Sequence, residues 1–250
     1  MTPTVALASS MLLNNISRVI RIIREDRALM KNCTVSASPV FVMALCEYFT
    51  FGMKHLFPDN NINLSFIHRI DQVTIRMDDT LTILLVLDMS GTESLRIFKE
   101  AVDFLLQINS RKRVGVLVSR YNSYLTYYIS RKFAGKVTFF NSHNLRSGLF
   151  QRNFQTWLQG KTFRPMHTIN RYRDERYGFS LKEWICLVLP LSGESIGEMS
   201  RCMKIPETTL YQIRHGALKK LGLGSYRQFC ELYIGGEIRT ENDKIFRQKY

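Results

Sequence analysis

The order of helix starts and stops between Phe179 and Phe229 constrains this chain more than any other feature. Ser180 with Glu183, and Ser195 with Glu198, are Ser-x-x-Glu pairs, in which each side chain bonds the other residue's backbone N–H at a helix start. The first pair opens a segment from Leu181 to Leu191 whose inward residues include Trp184, Leu187 and Val188. Pro190 removes one helix hydrogen bond there and is expected to kink the last turn. The second pair opens Ser195 to Met203, with Ile196, Met199, Cys202 and Met203 on the buried face. A short break at Lys204-Ile205-Pro206 leads into a third helix that runs to Gly222. Proline suits its entry, where the missing N–H would go unpaired anyway, and glycine suits its stop. Three short helices, one tight break and the start of a fourth helix predict a four-helix helix–turn–helix domain over residues 179–234. Such a unit serves mainly to set one helix in a DNA major groove.

In the third helix Leu210, Ile213, Ala217 and Leu221 recur at spacings of three and four, with Leu218 at the edge of the stripe. Gln212, His215 and Lys219 fall on the opposite side, with Tyr211 and Gly216 at its margins. Glutamine can pair with adenine, and lysine with guanine. Tyr211, Gln212, His215 and Lys219 are therefore the candidate base contacts. Thr208, Thr209, Arg214 and Lys220 near the helix ends and flanks, with Ser195 and Arg227 on the neighbouring helices, are candidate phosphate contacts. The periodicity alone fits a plain helical bundle equally well.

The segment resembles the LuxR/FixJ-type helix–turn–helix of bacterial transcription regulators. The matching residues are Phe179-Ser180 with Glu183, Gly193, Glu198-Met199-Ser200, Ile205-Pro206, Thr209-Leu210, Arg214 and Lys220-Leu221-Gly222, with Ser225 and Phe229 in the final helix. Ile213 stands where the family usually has His, and Pro206 where it usually has Ser. The resemblance implies sequence-specific binding to double-stranded DNA, with the family's base-reading positions on Tyr211, Gln212 and His215.

A formal net charge of +14 favours contact with a polyanion, but it is spread along the chain and does not locate a site. Cysteines at 33, 46, 186, 202 and 230 form no C-x-x-C pair, which speaks against a disulfide frame or a zinc centre. No apolar run is long enough to span a bilayer and no signal-peptide pattern opens the chain, so no stable membrane insertion and a cytoplasmic, nucleoid-associated location are expected. No nucleophile–base pair, Gly-rich phosphate loop or metal cluster stands out, and His55, His68, His143 and His167 are scattered. The chain reads as a non-enzyme without cofactor or metal.

Residues 32–159 alternate strand and helix patterns. Strands are expected at Cys33 to Ser36, Asn63 to Ile67, Leu81 to Asp88, Arg113 to Ser119 and Val137 to Phe140. Helices are expected at Val40 to Leu56, Thr92 to Ile108, Tyr121 to Phe133 and Leu145 to Leu158. Such alternation implies an α/β fold with a five-stranded parallel sheet in flavodoxin-like order. Ahead of this kind of DNA-binding end, the domain resembles a response-regulator receiver. A working receiver holds Mg²⁺ on an acidic pair after the first strand, has an aspartate acceptor after the third, and needs a Ser/Thr and a Lys after the fourth and fifth. Here the pair reads Ser36-Ala37. The third strand offers Asp88, yet alignment of Met89-Ser90-Gly91 with the family's Met-Pro-Gly puts the acceptor at Val86. Ser119 is retained and the lysine position reads Asn141. Without the carboxylates the metal-assisted chemistry is lost, and Asp88 reads as a strand-end or helix-cap residue. In architecture and in these losses the chain is similar to the Rcs-type and bgl-type auxiliary regulators of enteric bacteria. That implies a homodimer, or a heterodimer with another LuxR-type regulator, independent of receiver phosphorylation. A phosphorylation-switched regulator and a ligand-sensing one are the alternatives.

Residues 160–178 read as a charged linker; Arg171, Arg173 and Arg176 fit solvent, or phosphate contact. Residues 1–31 contain a basic amphipathic helix pattern, Met11 to Lys31, suited to packing on its own domain or a dimer partner and also compatible with a membrane surface. The polar tail, 235–250, is expected to fray.

Overall fold

A computed structural model describes residues 39–58, 62–73, 81–89, 91–108, 112–119, 122–164, 177–241 and 244–247. The Met11 to Lys31 helix pattern, Cys33 to Ser36, the Ser36-Ala37 pair and the three linker arginines lie outside these residues.

The first half is a five-stranded parallel sheet in the order β2-β1-β3-β4-β5, with β1 Val40–Met43, β2 Leu64–Ile67, β3 Thr82–Val86, β4 Arg113–Val118 and β5 Val137–Asn141. Four α-helices among the described residues accompany it: α1 Glu47–Leu56, α2 Thr92–Gln107, α3 Ser123–Lys132 and α4 Leu149–Leu158. Because neighbouring residues of a strand face opposite ways, each strand feeds two cores. Val42, Leu84, Leu117 and Phe140 pack against Met53, Phe154 and Trp157 of α1 and α4. Ile83, Leu85, Val116 and Phe139 pack on the other face with Phe98, Val102 and Ile129 of α2 and α3.

The expected start of the first helix is corrected here. Val40 to Met43 is the edge-inward strand β1, and the helix begins only at Glu47. A four-residue apolar run carries no period that separates a strand from a helix turn. Pairing with both β2 and β3 decides it. The residues that follow β1 are Ala44-Leu45-Cys46.

Gly115 shows how closely the α4 face is filled. A Cβ there would lie 2.9 Å from Phe140 Cε2, 3.1 Å from Leu84 Cδ1 and 3.3 Å from Trp157 Cη2. Gly115→Ala is expected to destabilise by about 1–3 kcal/mol through overpacking, read as a lower urea midpoint.

The second half holds α5 Leu181–Val188, α6 Ile196–Met203, α7 Glu207–Lys220 and α8 Tyr226–Ile234. The expected kink at Pro190 is a change of helix type: α5 stops at Val188, short of the expected Leu191, and the chain tightens into a 3₁₀ turn over Leu189–Ser192, closed by Gly193 at φ +90°. The tail is also corrected. It forms an antiparallel hairpin of β6 Ile238–Glu241 and β7 Lys244–Arg247, with Ile238 and Thr240 buried. Thr240 Oγ1 (2.6 Å) and Tyr233 Oη (3.2 Å) both donate to the Met89 carbonyl, three residues past the end of β3. A tail that looks polar is held because Ile238 joins the core and Thr240 finds a partner in the first half of the chain.

The two halves share one core. Trp184 stacks on Tyr124 of α3 at 5.6 Å, and Cys202 Sγ donates to the Tyr128 carbonyl at 3.7 Å. Glu194, just after Gly193, is fully buried and receives hydrogen bonds from Tyr128 Oη and Lys132 Nζ, with Lys99 Nζ 3.8 Å away. Burial pushes the Tyr128 hydroxyl above the ordinary phenol range, and its bond to Glu194 adds to this.

Candidate nucleic-acid interface

The helix that would read DNA is α7, and its neighbours hold it by local hydrogen bonds that the sequence announces. Ser180 and Glu183 close a capping box at α5: Glu183 N–H donates to Ser180 Oγ at 3.3 Å, and Ser180 N–H to Glu183 Oε2 at 2.8 Å. Ser195 and Glu198 close another at α6, at 3.1 and 3.0 Å. The Ser195 N–H is the first cause that holds the Glu198 carboxyl below its ordinary range. Ser225 caps α8 through the Gln228 N–H at 3.1 Å.

The turn between α6 and α7 is tight. Lys204 ends α6 in the left-handed region, φ 55° and ψ 46°, which costs a non-glycine residue roughly 1 kcal/mol. Ser200 straps the turn: its Oγ donates to the Ile205 carbonyl at 2.7 Å, and the Ile205 N–H donates back to the Ser200 carbonyl at 3.2 Å. Ser200→Ala leaves that carbonyl unpaired and is expected to cost about 1 kcal/mol of stability, measured by urea denaturation. Pro206 then sits at the N-cap of α7, with Glu207 in the first turn.

On α7 the apolar stripe is inward. Leu210, Ala217 and Leu218 are buried, and Ile213 and Leu221 half-buried, against α5 and α6. Tyr211, Gln212, His215 and Lys219 are all exposed, and three to four residues separate Tyr211, His215 and Lys219, so they share one outward face. Tyr211 is 48% exposed, unusual for so large a ring.

The candidate phosphate contacts divide into two groups. Thr208 and half-buried Thr209 lie in the first turn of α7. The others already have partners. The Ser195 hydroxyl is committed to its capping box. Arg214 lies over Tyr226 at 4.3 Å and Tyr211 at 4.9 Å. Arg227 pairs with Glu231 at 2.7 Å, though its side chain is 88% exposed. Lys220 pairs with Glu183 at 2.7 Å, donates to the Gly178 carbonyl at 3.2 Å and lies over the Phe179 ring. Burial pushes the Glu183 carboxyl up, but the Lys220 ammonium and Ser180 outweigh it, and the net shift is downward. Lys220 therefore also joins α7 to α5, a role the helical wheel does not reveal because Gly178 is 42 residues away.

Three of the candidate receiver positions lie together at the carboxyl ends of β3 and β4. Val86, Asp88 and Ser119 line one cavity of about 520 Å³ there. Asn141 stands at the end of β5, where its side chain accepts from the His143 N–H at 3.0 Å, while the next residue, Ser142, lines the cavity. Sequence reasoning missed Arg239 of the hairpin, which also lines this cavity. Among the described residues no cluster of acids, cysteines and histidines is arranged to hold a metal. Cys186 is buried and its thiol pushed up to about 12 by burial, and Cys202 and Cys230 are pushed up for the same first reason. These thiols are unreactive fillers of their helix contacts. No helix among the described residues is long and apolar enough to cross a membrane.

No protein family and no curated protein matches the chain. Among solved structures it is similar to two dimers of RcsB bound to two parallel DNAs, at 14% identity and TM-score 0.39 over 80% of this chain and 98% of that one. It is also similar to the complex of the two-component response regulator RcsB with DNA, at 13% identity and TM-score 0.39 over 79% and 99% of the two chains. A third is RcsB of Salmonella enterica serovar Typhimurium bound to promoter P1flhDC with the phosphomimetic BeF3⁻, at 13% identity and TM-score 0.38 over 81% and 100%. Likenesses this loose carry no functional weight. The fold stands on the chain's own strand order and helices.

Proposed function

We propose that this chain is a bacterial transcription regulator that binds double-stranded DNA sequence-specifically through α7. The observation that carries the reading is the split of that helix: Leu210, Ala217 and Leu218 are buried, and Tyr211, Gln212, His215 and Lys219 stand exposed on a helix braced at both ends. The LuxR-type pattern of the sequence and the net charge of +14 agree with it. One such module reads few base pairs, so the active form is a homodimer, or a heterodimer with another LuxR-type regulator, on two half-sites. Its cellular place is the cytoplasm, at the nucleoid. Genome-wide mapping of bound DNA identifies the operator. On that operator Gln212→Ala and His215→Ala are each expected to lose about 1–3 kcal/mol of specific affinity per base contact removed, read by titration at fixed salt. Unchanged affinity in both variants would show that this face does not read DNA.

Control is independent of receiver phosphorylation in this reading. Ala44-Leu45-Cys46 follow β1 and Val86 ends β3, so the metal-binding carboxylates of a receiver have no counterpart at these positions. The second reading, a phosphorylation switch, has Asp88 in its favour, since it lines the same cavity as Ser119. An acyl-phosphate donor that changes DNA affinity in the wild type but not in Asp88→Asn would establish that reading.

A further inference from the structure

We infer that the cavity at the carboxyl ends of β3 and β4 is a binding site for a small organic carboxylate with an apolar body. Its volume, about 520 Å³, is that of a small-molecule site. Its position, outside the strand ends of a doubly wound sheet, is where such folds hold ligands. Two polar groups there lack partners. Asn122 is 5% exposed, lines the cavity, and its side chain makes no hydrogen bond among the described residues, not even the capping bond its place before α3 invites. An amide that opens on a cavity can take its partner from a ligand bound there. Arg239 lines the same cavity and has no acidic partner among the described residues. A guanidinium matches a carboxylate through two parallel hydrogen bonds.

The amino end of α3, ten residues long, adds partial positive charge beside Asn122. Asp88 stands exposed at the same cavity and opposes an anion, which places the carboxylate toward Arg239 and Asn122 and away from Asp88. Phe49, Leu117 and Leu145 supply apolar wall, more than inorganic phosphate can use. Arg239 belongs to the hairpin behind the helix–turn–helix, whose Thr240 is bonded to Met89, so a bound carboxylate touches both domains. The site goes beyond the DNA-binding reading and does not depend on it.

The test uses the full chain without DNA, with backbone-amide NMR as the readout and benzoate, benzamide and inorganic phosphate as probes. Benzoate is expected to shift the amide signals of Ser119, Ser123 and Arg239, with both other probes at least about tenfold weaker. Arg239→Gln, a change at an exposed residue, is expected to weaken benzoate by about tenfold or more. Asn122→Ala weakens it as well; if that variant does not fold, Ser142→Leu fills the cavity instead and abolishes the shifts. No shift at these amides up to roughly 10 mM benzoate overturns the inference. An equal response to benzamide, to phosphate, or in Arg239→Gln overturns it too. Failure of the DNA-binding reading would leave all of these results unchanged.

Discussion

Glu194→Ala is expected to destabilise the protein by about 3–5 kcal/mol, the loss seen when one partner of a buried ion pair is removed. Glu194 is fully buried and comes from the loop that leads into α6, while the groups around it, Tyr128, Lys132 and Lys99, come from α3 and α2. Without the carboxylate, the Lys132 ammonium, on a side chain only 11% exposed, stays in the interface uncompensated. The arrangement is not optimal even in the wild type. Glu194 Oε1 has no hydrogen bond within reach among the described residues and relies on Lys99 at 3.8 Å. For that reason Glu194→Leu combined with Lys132→Met and Tyr128→Phe is expected to regain most of the loss, because an apolar set leaves no buried polar group to be compensated. Urea denaturation of Glu194→Ala and of the triple variant measures this. A single-variant loss below about 1 kcal/mol, typical of an exposed pair, would show that the network does not hold the domains together.

Trp184→Ala carries the other large effect, about 3–5 kcal/mol from lost burial and the cavity left behind. The indole is fully buried, stacks on Tyr124 at 15° between planes, and meets Phe179 edge-on at 5.4 Å. It thus joins α5 to α3 across the two halves of the chain. Its Nε1 is buried with no hydrogen-bond partner among the described residues. Trp184→Phe keeps much of the ring contact and removes that unpaired donor, so its loss is expected to stay below about 1.5 kcal/mol. Thermal or urea unfolding compares the two. Equal losses in both would show that the indole's own geometry, and not ring packing in general, makes the contact.

The helix–turn–helix was legible because its signals are local. Ser180 with Glu183 and Ser195 with Glu198 are bonded three residues apart, and Gly193 takes the left-handed backbone its position requires. The alternation of strands was legible for the same reason, with the long apolar runs of β3 and β4 as markers. The first strand was not. Val40 to Met43 is too short to show a period, and it becomes a strand by pairing with β2 and β3 on either side. On the candidate DNA interface, the outward set of Tyr211, Gln212, His215 and Lys219 follows from helical geometry alone. The engagement of Lys220 with Glu183 and Gly178 does not, since it depends on where α5 lies.

By itself the sequence determined the periods, caps and stops: a parallel α/β sheet domain, then four helices with one face of α7 turned outward. Each of those rests on contacts within a turn or along a strand. The tertiary structure alone decided how the two halves meet. Tyr128 reaches Glu194 across 66 residues, and Tyr233 and Thr240 reach Met89 across 144 and 151. Contacts at such separations leave no period in a sequence. They exist only once both cores have formed and each buried polar group has been matched to a partner from the other half.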